Sequence, residues 1–146
     1  MLLTDDLLPF DCAKAEPRSL PVDTVVVHFI SALHWDNLTA ADLAALADAG
    51  IVLPATEPDA RKFHPAYCRA LLVKVKLSYH YLIDRAGSII RLVTEDRVAW
   101  HAGVSRMPTD GREWVNSFSI GVSFIATHPD DDQAVASGAT RLIAPP

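Results

Sequence analysis

Residues 78–93, SYHYLIDRAGSIIRLV, decide the fold. Aromatic and β-branched residues dominate Ser78 to Asp84, Arg85-Ala86-Gly87 supplies turn chemistry, and Ser88 to Val93 returns as a second β-rich run. This pattern predicts a β-hairpin. Upstream, residues 24–30, TVVVHFI, form a β-branched run interrupted only by His28, which suits a strand buried on both faces. Downstream, residues 118–125, FSIGVSFI, read as another strand, with Gly121 allowing close approach of a backbone or a ligand.

Helical signals lie between these strands. Thr39-Ala-Ala-Asp42 is a capping-box start with Asp in place of the usual Glu, and Gly50 marks the stop. Pro65 suits the first turn of a second helix, about Pro65 to Lys76, with Tyr67, Leu71, Leu72 and Val75 at spacings of three and four. Residues 51–64 read as a loop, and Val98 to Gly103 as a short extended segment. Alternating strands and helices followed by clustered strands indicate an α/β fold with a central mixed sheet flanked by helices. Residues 1–23, with Pro9, Pro17 and Pro21 and no sustained period, are expected to form an irregular arm, and residues 24–146 the domain.

Composition narrows the function. With 146 residues, half of them hydrophobic, the chain has enough material for one core. A formal charge of -5 and no basic stripe argue against a nucleic-acid partner. No window has the length of apolar sequence that a membrane span needs. The N-terminal residues carry no positive charge before the first apolar stretch, and Asp5 and Asp6 interrupt it. No signal peptide is therefore expected, and the chain as encoded is expected in the cytoplasm. Cys12 and Cys68 are far apart and read as reduced packing residues.

Three of the six histidines, His28, His80 and His101, lie in or beside predicted strands. Imidazole is a common zinc ligand, and a sheet can bring ligands from separate strands together. A satisfied core histidine is the competing reading for each. There is no H-E-x-x-H, no nucleophile elbow around Ser105 or Ser123, and no phosphate-binding glycine loop.

VVVHFISA, SYHYLIDRAGSIIRLVTEDRVAWHAGVS and NSFSIGVSFIATH occur in the order and approximate spacing of the amidase-2 family of N-acetylmuramoyl-L-alanine amidases. The sequence resembles that family, which includes peptidoglycan recognition proteins and phage lysozyme-type amidases, over roughly residues 24 to 130. The resemblance implies zinc-dependent hydrolysis of the amide between N-acetylmuramic acid and L-alanine, in peptidoglycan or muropeptides. It implies His28 as a ligand of Zn²⁺, Tyr79 as a catalytic group beside the metal, and Trp100, His101 and Asn116 along the substrate groove. Strand packing competes for Tyr79 and Trp100. His80, one residue on, is expected on the opposite face from Tyr79 in a structural role.

The sequence departs from the family pattern at its C-terminal end. The family's second and third ligands follow a further helix, whereas PDDDQAVASGATRLIAPP follows His128 here. Only His28 of the three ligands has a counterpart, so weak zinc binding is expected unless His101, His128 or Asp130 turns inward. Ser123 stands where one branch of the family places a catalytic Glu. A metal-free peptidoglycan-binding module, or an incomplete fragment, is the alternative reading. Loss of the last helix is expected to bare apolar sheet surface, to be covered by self-association or by the N-terminal arm.

Overall fold

The computed structural model describes residues 3–30, 38–53, 62–125 and 141–143. Most of the expected 51–64 loop, together with His128 and Asp130, lies outside these residues.

The main sheet has six strands: β1 (Leu3–Asp5), β3 (Thr24–Phe29), β4 (Tyr81–Ile83), β5 (Ile89–Arg91), β7 (Ser119–Phe124) and β8 (Arg141–Ile143), in the order β1-β5-β4-β7-β3-β8. A separate antiparallel pair joins β2 (Ala13–Pro17) to β6 (Arg97–Ala99). β7 is parallel to both β3 and β4, while β4 and β5 form the antiparallel hairpin, so the sheet is mixed as expected. Asp84 closes the hairpin turn, its Oδ1 accepting from the backbone N–H groups of Ala86 and Ser88. Gly87, at φ 83°, takes the left-handed position that other residues avoid.

Both helices begin and end where their signals fall. α1 (Ala40–Asp48) carries the Thr39/Asp42 capping box, and Gly50 follows it at φ 79°. α2 (Pro65–Val75) starts on its proline and stops at Lys76 in the left-handed conformation, whose N–H donates to Leu72 O. Tyr67, Cys68, Leu71 and Leu72 of α2 are buried against Leu82 of β4. A smaller core of Val26, Met107, Val115 and Phe118 lies beneath the 101–118 loop.

The N-terminal stretch read as an irregular arm contains β1, a 3-10 turn at Phe10–Cys12 and β2. Segments of three to five residues are too short to show a hydrophobic period, so their strand character comes from partners already present in the sheet. β1 extends the sheet edge in parallel with β5, and Leu8, Cys12 and Ala13 join the core of α2. Arg18 fastens the end of the arm, donating to the carbonyls of Glu95, Arg97, Asn116, Ser117 and Ser119.

β3 differs from the expected two-sided burial. Val26 is fully buried, but Val25 and Phe29, which alternate to the other face, are 43% and 37% exposed. The buried side of β3 faces the 101–118 loop, where Val26 packs with Met107, Val115 and Phe118. The opposite face pairs Val25 with Ile120, Val27 with Val122 and Phe29 with Phe124.

Candidate functional site

The site grows from the small residues of β7. Ser119, Gly121 and Ser123 lie two apart and share a face. Their register partners on β3 are Thr24, Val26 and His28. The absence of large side chains in this row leaves a slot in the sheet face, and the His101 ring fills it. A Cβ built on Gly121 would lie 2.5 Å from His101 Cγ. The close approach anticipated at Gly121 is thus made by an imidazole. Gly121 also meets His80 through its backbone, its N–H donating to His80 Nδ1 at 3.0 Å while its carbonyl accepts from His80 N–H.

From this slot His101 reaches His28. Nδ1 of His101 lies 3.1 Å from Nε2 of His28, and the rings meet edge-on with centroids 5.2 Å apart. The Tyr79 ring is 5.1 Å from that of His28 on the same side of the sheet. Asn116 Oδ1 accepts from the backbone N–H groups of His101 and Ala102, which clamps the loop that delivers the imidazole. Trp100 is held through its backbone, exchanging hydrogen bonds with Ser78, while its side chain is 38% exposed. The structure therefore groups His28, Tyr79 and His101, holds the His101 backbone with Asn116, and leaves Trp100 partly exposed.

His80 departs from its expected placement. Its ring centroid is 6.0 Å from that of His101, in the same cluster rather than across the sheet. β4 begins only at Tyr81, so strand alternation does not govern Tyr79 and His80. A structural role does fit its bonding. Nδ1 accepts from Gly121 N–H, so Nε2 carries the proton and donates to Arg97 O at 3.1 Å. The Arg18 guanidinium, 3.0 Å from the same Nε2, then gives its hydrogens to the neighbouring carbonyls.

Burial governs protonation here. It pushes His28 and His80 down to about 4 and His101 down to about 2, the neighbouring imidazoles and Arg18 adding to the effect at His101. All three are therefore neutral near pH 7. The Tyr79 phenol is pushed up to about 12 by burial, partly offset by the Ser123 hydroxyl. Ser123 Oγ is buried beside that phenol, and among the described residues it has no well-formed hydrogen bond. That leaves an unspent polar atom beside Tyr79, across the register from His28.

A catalytic zinc takes three protein ligands and keeps one open position. Among the described residues no three His, Cys, Asp or Glu side chains are placed to share a metal ion. His28, expected from the sequence to be a ligand, has an Nδ1 that none of the described residues hydrogen-bonds. His101 Nδ1 faces His28 rather than a shared metal position. The described residues alone therefore do not build the three-ligand site.

Sequence reasoning missed Ser119 and Arg18. Ser119 Oγ lies 3.2 Å from His101 Nε2 and donates to Val115 O at 2.6 Å. The alternation of small residues at 119, 121 and 123 was the available signal for a slot. Nothing local marks Arg18, whose carbonyl partners lie 77 to 101 residues away.

Residues 18–144 match the N-acetylmuramoyl-L-alanine amidase family. The chain belongs to that family. It is similar to the 1,6-anhydro-N-acetylmuramyl-L-alanine amidase AmpD of Salmonella typhimurium, 44% identical over 71 residues, which are 49% of this chain and 34% of that protein. The AmpD of Escherichia coli is 44% identical over 64 residues, 44% of this chain and 33% of that protein. The match therefore spans about a third of the length of these relatives. A crystal structure of an AmpD selenomethionine derivative superposes with a TM-score of 0.50 at 29% identity, covering 93% of this chain and 70% of that one. No helix among the described residues is long and apolar enough to cross a membrane.

Proposed function

We propose that this chain acts on the amide bond between N-acetylmuramic acid and L-alanine in muropeptides or peptidoglycan, as a hydrolase of the family to which it belongs. The observation that carries this reading is His28 at the C-terminal end of β3, beside Tyr79, with an Nδ1 that no described residue occupies. In this reading His28 is one ligand of a zinc ion that would polarise the amide carbonyl and activate water. Its remaining ligands are not among the described residues. Tyr79 keeps its proton at neutral pH and donates to the oxyanion that forms at the attacked carbonyl. His101 and Asn116 shape the groove, and Trp100 offers an aromatic surface at its margin for the sugar or lactyl group. The relatives' printed name specifies a 1,6-anhydro-muramyl substrate, which makes soluble muropeptides of that kind the first substrates to test. Such substrates would fit a cytoplasmic site of action.

A second reading, a metal-free muropeptide-binding module, is favoured by the absence of a three-donor cluster among the described residues. Zinc analysis of the dialysed full chain, run beside an assay for stem-peptide release, separates the two. Retained zinc and release abolished by His28→Ala are expected for the hydrolase. Muropeptide binding without zinc or release would overturn that reading in favour of the module.

A further inference from the structure

We propose that Ser119 is a positioning residue that fixes the tautomers of His101 and His28, so that His28 keeps an unprotonated Nδ1. Hydrogen positions are set along one chain of contacts from Val115 to His28. Ser119 has a single hydroxyl proton, and its Oγ lies 2.6 Å from Val115 O in a buried setting. Two oxygens that close repel unless a proton lies between them, so the proton points at Val115 O.

Ser119 Oγ must then accept from His101 Nε2, 3.2 Å away, which places the His101 proton on Nε2 and leaves Nδ1 as an acceptor. His28 Nε2, 3.1 Å from that Nδ1, must in turn be the donor. A neutral imidazole carries one ring proton, so His28 Nδ1 keeps its lone pair. Reversing the chain would put the proton on His28 Nδ1 and disable it as a ligand. The partner on the other ring nitrogen selects the tautomer, as it does for metal-bound histidines. Ser119 is fully buried, and it acts only through His101.

The geometry stands whether or not the chain is a hydrolase. Only its consequence, a histidine poised for zinc, rests on the function proposed above. The test is a two-bond proton–nitrogen NMR spectrum of the metal-free, ¹⁵N-labelled chain, which distinguishes protonated from unprotonated ring nitrogens. Expected in the unmodified protein are protonated Nε2 and unprotonated Nδ1 on both His28 and His101. Ser119→Ala should mix the tautomers of both rings, and Ser119→Thr should restore the single pattern. A protonated His28 Nδ1 in the unmodified protein would overturn the proposal, as would an unchanged pattern in a folded Ser119→Ala. If Ser119→Ala fails to fold, the unmodified spectrum decides. The expected spectrum in a chain that neither holds zinc nor releases peptide would retain the positioning role and discard the hydrolase.

Discussion

His101 lies on Gly121 so closely that a Cβ at position 121 would fall 2.5 Å from His101 Cγ and 2.6 Å from Cδ2. The ring is confined further by Ser119 on one nitrogen and His28 on the other, so it cannot yield without breaking a contact. Gly121→Ala should displace it, destabilise the fold by about 1–3 kcal/mol as overpacking does, and abolish the His28–His101 contact. A urea midpoint equal to that of the unmodified protein, with the His28 and His101 ring resonances in place, would contradict this.

Arg18 satisfies five backbone carbonyls, two at residues 95 and 97 and three between residues 116 and 119. Its removal strands several part-buried acceptors at once. Arg18→Ala should cost about 2 kcal/mol or more, and Arg18→Lys should recover little of it, because an ammonium lacks the planar fork that reaches separated carbonyls. Hydrogen exchange at Asn116 to Ser119 provides the local check, with faster exchange expected in both variants.

His80 links stability to pH. Its ordinary value is 6.5, and burial pushes it down to about 4, so between those values the unfolded chain binds a proton that the folded chain refuses. The contribution is complete above pH 6.5 and is lost as pH falls toward 4, with a slope of about 1.4 kcal/mol per pH unit for this one group. Urea midpoints across the window should fall with acidification, and a His80→Gln variant should show a shallower slope. Equal slopes in the two proteins would place the acid sensitivity elsewhere.

Under the proposed hydrolase, Tyr79 contributes through its hydroxyl and its ring packs the core. Tyr79→Phe should lower stem-peptide release by about 10²-fold while changing stability by no more than about 1 kcal/mol. Unaltered release would assign Tyr79 to packing alone.

Cys12 and Cys68 are free and fully buried. Burial pushes the Cys68 thiol up to about 12 and raises that of Cys12 as well. With little thiolate and little access, both should resist a disulfide-exchange reagent in the native protein and react fully in denaturant. Rapid native-state labelling of Cys68 would show that the packing around Tyr67 and Leu71 opens readily.

Local chemistry determined much of this protein directly from sequence. The Thr39/Asp42 box, Pro65 at a helix start, and the Asp84–Gly87 turn each act through neighbours within a few residues, so their signals are complete in a short window. The β-branched runs at 24–30 and 118–125 likewise marked the strands that carry His28 and the serine row. The strand character of residues 3–17 had no such signal, because β1 and β2 are specified by β5 and β6, whose sequence positions are distant. Burial on one face of β3 rather than both was decided by where the 101–118 loop packed, since Val26 is buried with Met107, Val115 and Phe118. The tautomer chain from Val115 through Ser119 and His101 to His28 also belongs to tertiary structure alone. It depends on distances between atoms up to 73 residues apart, and a hydrogen's position on an imidazole is set by the group facing it rather than by the residue's identity.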